Sequence, residues 1–181
     1  MTKLNKVTVF CGSRNGNHPE YAEKAALLGK YLAQNKIQIL YGGGNCGLMD
    51  ALAMAAIKEG GYVHGIGLSA YPQCPEGITS IILMDDLLER KKALCQADGF
   101  IAMPGSVGTI DEVFHTIGSA QARQHSKPIA FYNIRNFFDP LLGFIQQTAD
   151  EGFMRREDTG LYFASNEPAD LVQQMQQKLQ A

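Results

Sequence analysis

Apolar positions along the chain follow two alternating rhythms. Short continuous runs of β-branched and aromatic residues, VTVFC (7–11), IQILY (37–41), YVHGIG (62–67), SIILM (80–84), GFIAM (99–103) and PIAFY (128–132), read as strands buried on both faces. LYFAS (161–165) reads as a seventh. Between them, stretches of helical period predict helices at 19–34, 47–59, 86–97, 108–123, 137–151 and 167–179. In the last, Leu171, Val172, Met175 and Leu179 make an apolar stripe on a glutamine-rich surface. Strands alternating with helices imply a parallel sheet. The expectation is therefore an α/β fold: a single Rossmann-like, doubly wound nucleotide-binding domain over residues 1–181, with a mainly parallel sheet of about seven strands flanked by helices.

Composition narrows the function. With 45% apolar and 19% charged residues and a net charge of −2, the chain offers no basic stripe, which argues against a nucleic-acid partner. No apolar stretch approaches the ~20 residues that span a bilayer, so no membrane is expected, and the N-terminal apolar run is too short for a signal peptide. A cytoplasmic protein is the expectation. Cysteines 11, 46, 74 and 95 are scattered, without CxxC or zinc spacing, and read as reduced thiols packed as small buried side chains.

In open parallel sheets ligands bind beyond the carboxyl ends of the strands, which directs attention to CGSRNG (11–16), YGGGNCGLMD (41–50) and MPGSVGTIDE (103–112). Gly42, Gly44 and Gly47 spell GxGxxG between a strand and a helix, yet the next strand ends without the carboxylate that a dinucleotide ribose requires. The third segment is more informative. Gly105 and Gly108 bracket Ser106 and Val107 where a helix begins, leaving backbone N–H groups open to an anion, with the Ser106 and Thr109 hydroxyls as further donors. One monophosphate fits such a turn. Thr109 and Glu112 also spell the TxxE of a capping box, in which the carboxylate would only reach back to a backbone N–H. His115 follows at ExxH spacing, but a metal pair needs more carboxylates, so no metal is expected and His115 reads as packing. In DDLLERKK (85–92), Arg90 and Lys91 fall near the strand ends, although a charge run is by default a solvated helix face.

With these residues in view, the chain resembles the Lonely guy family, the cytokinin riboside 5'-monophosphate phosphoribohydrolases, labelled in older usage as lysine decarboxylases. VFCGSRNG, YGGGNCGLMDALAMAA, ERKKAL and FFDPLLGFIQQTADEGFM (137–154) resemble its characteristic segments, and PGSVGTIDE resembles its signature PGGxGTxxE. The resemblance implies a Rossmann-like homodimer with sites near the subunit interface. It also implies hydrolysis of the N-glycosidic bond of a nucleoside 5'-monophosphate, AMP or an N6-substituted AMP, without a cofactor. Carried over, Glu112 and Arg90 are the catalytic residues. Gly105, Ser106, Val107, Gly108 and Thr109 hold the phosphate, and Lys91, Ser13, Gly43 and Gly44 line the same pocket. The chain departs from the family pattern at Ser106, where the signature has glycine. Further departures are the Leu87–Leu88 pair where Met-His is common, a segment from Arg90 to Pro104 shorter by one, and Gly118 in place of a threonine.

Three other readings stand beside this one. A pyridoxal-dependent decarboxylase needs a Schiff-base lysine that no segment suggests. A dinucleotide oxidoreductase rests on the GxGxxG match alone. A non-catalytic carrier of a nucleotide or molybdenum cofactor, on the same fold, would have no use for both Glu112 and Arg90.

Overall fold

The computed structural model describes residues 3–180. Seven strands, β1 (Lys6–Phe10), β2 (Gln38–Tyr41), β3 (Val63–Leu68), β4 (Ser80–Met84), β5 (Gly99–Ala102), β6 (Ile129–Tyr132) and β7 (Tyr162–Ser165), form one sheet in the order β4-β3-β2-β1-β5-β6-β7. Every pairing is parallel, where the sequence predicts a mainly parallel sheet.

Two helical layers cover it. Helices α1 (Glu20–Gln34), α2 (Gly47–Lys58) and α6 (Pro168–Gln180) pack on the face that carries Val7, Val9, Ile39 and Ile101. Helices α3 (Leu87–Leu94), α4 (Val107–Gln121) and α5 (Asp139–Asp150) pack on the face that carries Phe10, Leu40, Phe100 and Phe131. Successive strand residues point to opposite faces, so a strand covered on both sides must be apolar throughout. β1, β5 and β6 obey this. Thr8 is the buried exception on β1, and its hydroxyl donates to the Leu94 carbonyl at 2.5 Å, fastening the end of α3 to the sheet. β4, at the edge, leaves Ile82 and Leu83 exposed.

Boundaries shift by one or two residues except at α3, which ends three residues before its predicted limit. The chain there must turn into β5: the Cys95 N–H folds back to the Lys91 and Lys92 carbonyls, and the Asp98 carboxylate accepts from the Asn5 and Lys6 N–H groups at 2.9 Å. Ahead of α5, a 3-10 turn (Ile134–Asn136) takes residues expected to be irregular, and a further 3-10 segment (Arg156–Leu161) precedes β7.

Crossovers from β1 run through β2 and β3 to β4 at one edge, then return to β5 on the other side of β1. That reversal opens a crevice at the carboxyl ends of β1 and β5. The α1 and α2 axes are held close at Gly29, where a methyl group would run into the Leu52 carbonyl. Replacing Gly29 by alanine should therefore cost about 2 kcal/mol and lower the melting temperature by about 4–8 °C. A thermal melt of the variant that matched the parent would contradict this packing.

Candidate active site

At the switch point two backbones meet at glycines. The Gly12 N–H donates to the Pro104 carbonyl at 3.0 Å, and a Cβ on Gly12 would lie 3.2 Å from the Gly105 Cα. A Cβ on Gly105 would in turn strike the Thr109 side chain. Absence of side chains at both positions lets the turn after β5 lie against the turn after β1.

Helix α4 starts here. Ser106 is its N-cap in extended conformation (φ −104°, ψ −159°), so no positive φ is asked of the serine that replaces glycine. Its carbonyl accepts the first helical bond, from Ile110 at 3.1 Å, but its side chain caps nothing. The N–H groups of Val107, Gly108 and Thr109 therefore have no acceptor among the described residues. Together with the positive end of the helix dipole they make an anion-binding end.

With Ser106 as N-cap, the third helical residue is Thr109 and the sixth is Glu112, which excludes a TxxE capping box. Glu112 turns instead to α3. Its Oε1 accepts from Arg90 Nη1 at 2.6 Å, with the two side chains 14% and 13% exposed. The Arg90 guanidinium is held on two further sides: Nε donates to the Ile66 carbonyl at 2.8 Å and Nη2 to the Gly42 carbonyl at 3.4 Å. The placement of α3 makes this possible, because the Asp86 carboxylate caps the helix through the Leu88 and Glu89 N–H groups and sets Arg90 in its first turns, above the ends of β2 and β3. Burial pushes the Glu112 carboxyl above the usual carboxylate range, and the Arg90 charge and hydrogen bond oppose that shift without cancelling it.

Ser13, Arg90, Ser106, Gly108, Thr109 and Glu112 surround a hollow of about 150 Å³. Two larger cavities open from it. One, of about 510 Å³, runs past Gly105 and Ser106 toward Arg14, Tyr21 and Phe137. The other, of about 460 Å³, runs past Arg90, Gly42 and Met49 beneath the β3–β4 loop, with Gly44 in its wall. Ser13 borders all three.

Three of the predicted residues stand apart. Lys91 pairs with Asp111 at 2.6 Å and borders none of these cavities. Gly43 (φ +83°) is packed beneath β3 and β4, where a Cβ would meet Ile81 and Gly67. Val107 is 82% exposed at the rim. His115 is exposed, contrary to the packing role expected of it, because α4 presents that position to solvent. All four cysteines are free, but only Cys11 is buried as expected: Cys74 and Cys95 are half-buried, and Cys46 is exposed at the N-terminus of α2, beside the cleft. Sequence reasoning singled out the segments holding Arg14 and Asn15 and, through the resemblance, Phe137 without assigning these residues, and it missed Tyr21 and the loop around Tyr71. No motif marks the last two, which reach the cleft only through the fold.

Fold and site together define a Rossmann-like α/β protein with a helix end open to an anion and a half-buried carboxylate at its topological switch point. A family model described as possible lysine decarboxylase matches residues 49–175. The chain is 37% identical over 153 residues to the cytokinin riboside 5'-monophosphate phosphoribohydrolase of Rhodococcoides fascians, covering 82% of this chain and 77% of that protein. It is 34% identical over 182 residues to the cytokinin riboside 5'-monophosphate phosphoribohydrolase LOG7 of Arabidopsis thaliana, covering 97% and 83%. The chain belongs to this family of cytokinin riboside 5'-monophosphate phosphoribohydrolases, the Lonely guy family. Its fold is shared with the molybdenum cofactor carrier protein of Chlamydomonas reinhardtii, at a TM-score of 0.74 and 17% identity over 99% of this chain and 100% of that one.

Arg90 and burial pull the Glu112 proton in opposite directions, which yields a measurable sign. Replacing Arg90 by methionine removes the interaction that favours the carboxylate and leaves the desolvation, so Glu112 should ionise at a still higher pH than in the parent. A carboxyl-resolved NMR titration should place the parent midpoint above the ordinary glutamate value of about 4.3, and the variant midpoint above the parent's. A variant midpoint equal to or below the parent's would contradict the pairing.

Proposed function

We propose that this protein hydrolyses the N-glycosidic bond of a nucleoside 5'-monophosphate, AMP or an N6-substituted AMP, to free base and ribose 5-phosphate. The observation that carries the reading is the arrangement on α4. Its first turn presents unpaired N–H groups, and Glu112, one helical turn beyond Gly108, meets Arg90 in the same hollow. One ligand can span both, with phosphate on the helix end and sugar over the carboxylate. The names of the relatives supply the reaction.

As the bond breaks, the base leaves with the bonding electrons and positive charge builds on the ribose ring, while water adds its oxygen to the anomeric carbon and the proton it loses balances the one the departing base takes up. The Glu112 carboxylate stabilises that charge more than it stabilises the uncharged sugar, which is what lowers a barrier. Arg90 does not deprotonate, so it is no proton donor; it orients Glu112 and opposes the burial that disfavours its charge. Ser106, Thr109 and the N–H groups of Val107, Gly108 and Thr109 hold the phosphate, with Gly105 shaping the turn. The three cavities that adjoin at Ser13 have no lysine in their walls, which gives pyridoxal chemistry no anchor.

We read the chain as one nucleotide-binding domain that works as a homodimer in the cytoplasm. Leu87 and Leu88 on α3, next to Arg90, join Ile82 and Leu83 as exposed apolar groups that a second copy would cover. The free thiols suit a reducing compartment.

Purified protein given a panel of nucleoside 5'-monophosphates should release free base from AMP at least about a hundredfold faster than from adenosine, since loss of the phosphate removes positioning. Equal turnover of the two would sink the phosphate site. Glu112→Gln should reduce turnover by about a hundred- to a thousandfold while the melting temperature moves by no more than about 4 °C; near-normal turnover would remove Glu112 from the chemistry. Ser106→Gly should raise the KM for AMP by about 5- to 10-fold, the worth of one hydrogen bond. An unchanged KM in steady-state kinetics would show that the Ser106 hydroxyl makes no phosphate contact.

A further inference from the structure

Arg90 is placed by α3, and α3 by itself is a poor anchor. The helix has eight residues (Leu87–Leu94), too few to hold its own shape in water. It buries Leu94 and rests Ala93 against the core, while Leu87, Leu88, Glu89 and Lys92 face solvent. Apolar packing therefore fixes its last turn and little else. Yet the guanidinium four residues before Leu94 must reach three acceptors at once.

Polar contacts at the carboxyl end of α3 supply what packing does not. The Leu94 carbonyl, one turn beyond Arg90, accepts from the Thr8 hydroxyl at 2.5 Å, and the Cys95 carbonyl accepts from Lys127 Nζ at 2.9 Å. Carbonyls at the end of a helix have no partner within it, and a cation there also meets the negative end of the dipole. Thr8 is wholly buried, on the face of β1 that carries Phe10. Lys127 comes from the segment between α4 and β6, and that segment is itself held to α4. The Lys127 N–H donates to His125 Nδ1 at 3.2 Å, which leaves the His125 proton on Nε2, and Nε2 donates to the Thr116 carbonyl at 3.1 Å. Thr116 lies one turn beyond Glu112, and its hydroxyl donates to the Glu112 carbonyl at 3.0 Å. The end of α3 is thus tied to β1 on one side. On the other it is tied, through Lys127 and His125, to the turn of α4 that carries Glu112.

Resting on the reading of this cleft as the active site, we propose that Thr8 and Lys127 are positioning residues, which clamp the carboxyl end of α3 so that Arg90 meets Glu112. Neither lines the central hollow or the two cavities that open from it. With the clamp slack, α3 shifts as a unit, the Arg90–Glu112 contact lengthens, and Glu112 is left to the desolvation that disfavours its charge. Lys91 and Asp111, the other charges that face Glu112, act on it in opposite directions and are paired with each other.

Two substitutions at one position separate this role from plain packing. Thr8→Val keeps the volume and removes the donor, Thr8→Ser keeps the donor and removes a methyl group, and neither changes a charge. In a carboxyl-resolved NMR titration the Glu112 midpoint should rise in Thr8→Val and stay at the parent value in Thr8→Ser, although both lower the melting temperature. Added to Arg90→Met, Thr8→Val should move the midpoint no further, as befits a residue that acts through Arg90. Should Thr8→Val not fold, Lys127→Met compared with Lys127→Arg reads the same midpoint from the other carbonyl, with a rise expected in the methionine variant alone. With AMP, kcat should fall about ten- to a hundredfold in Thr8→Val while KM stays within about twofold, because the phosphate contacts on α4 are untouched. A Thr8→Val midpoint equal to the parent's, or a Thr8→Ser midpoint shifted as far as that of Thr8→Val, would overturn the proposal. So would an unchanged kcat where the parent turns over AMP. If the parent releases no base from AMP, the nucleotide reading fails, and the midpoints still decide whether the clamp holds Arg90 on Glu112.

Discussion

The Arg90 guanidinium holds the candidate site together by making three different contacts at once. Nε reaches the Ile66 carbonyl on β3, Nη2 the Gly42 carbonyl at the end of β2, and Nη1 the Glu112 carboxylate on α4. Two strand ends and two helices are thus tied at one planar group whose donors fan out in a fixed geometry. Lysine, a single point charge, could not make this set of contacts. The arrangement also explains how a carboxylate is kept in a place where burial disfavours its charge, because the opposing cation is itself pinned by carbonyls and does not swing into solvent.

A second constraint is the close approach of two turns at Gly12 and Gly105. Without it, the start of α4 would be pushed away from β1, and the unpaired N–H groups would no longer face the hollow that holds Glu112. The site is therefore a property of the parallel topology. β1 and β5 are neighbours only because the chain reverses direction in the sheet after β4, and each supplies one of the two turns. The same reversal leaves β4 and α3 at one edge with Ile82, Leu83, Leu87 and Leu88 uncovered.

Much of this was legible in the chain. Strands covered on both faces are continuous apolar runs, which marks the central ones, and the edge strands β4 and β7 keep the same β-branched and aromatic character although they are partly exposed. PGSVGTIDE marks the helix end and its carboxylate. What stayed hidden depended on distance along the chain. Whether Glu112 capped its own helix or reached α3 turns on where α4 begins, and the structure starts it at Val107 with Ser106 as cap. Lys91 sits next to Arg90 in sequence yet faces Asp111, because adjacent helical residues point about 100° apart. Tyr71 carries no local pattern at all, and Phe137 opens a segment marked only by resemblance; a loop after β3 and a turn before α5 bring them to the cleft. Cys46 shows the same limit, since a residue type that is usually buried is exposed there by the turn into α2.

Function in this cleft requires one ligand to bridge the start of α4 and the carboxylate six residues into that helix. A crystal structure of the Glu112→Gln protein with AMP tests this directly. The phosphate should accept from the backbone N–H groups of Gly108 and Thr109, with the anomeric carbon of the ribose facing the side chain at position 112. A phosphate bound elsewhere, or a sugar turned away from residue 112 with the phosphate in place, would contradict it.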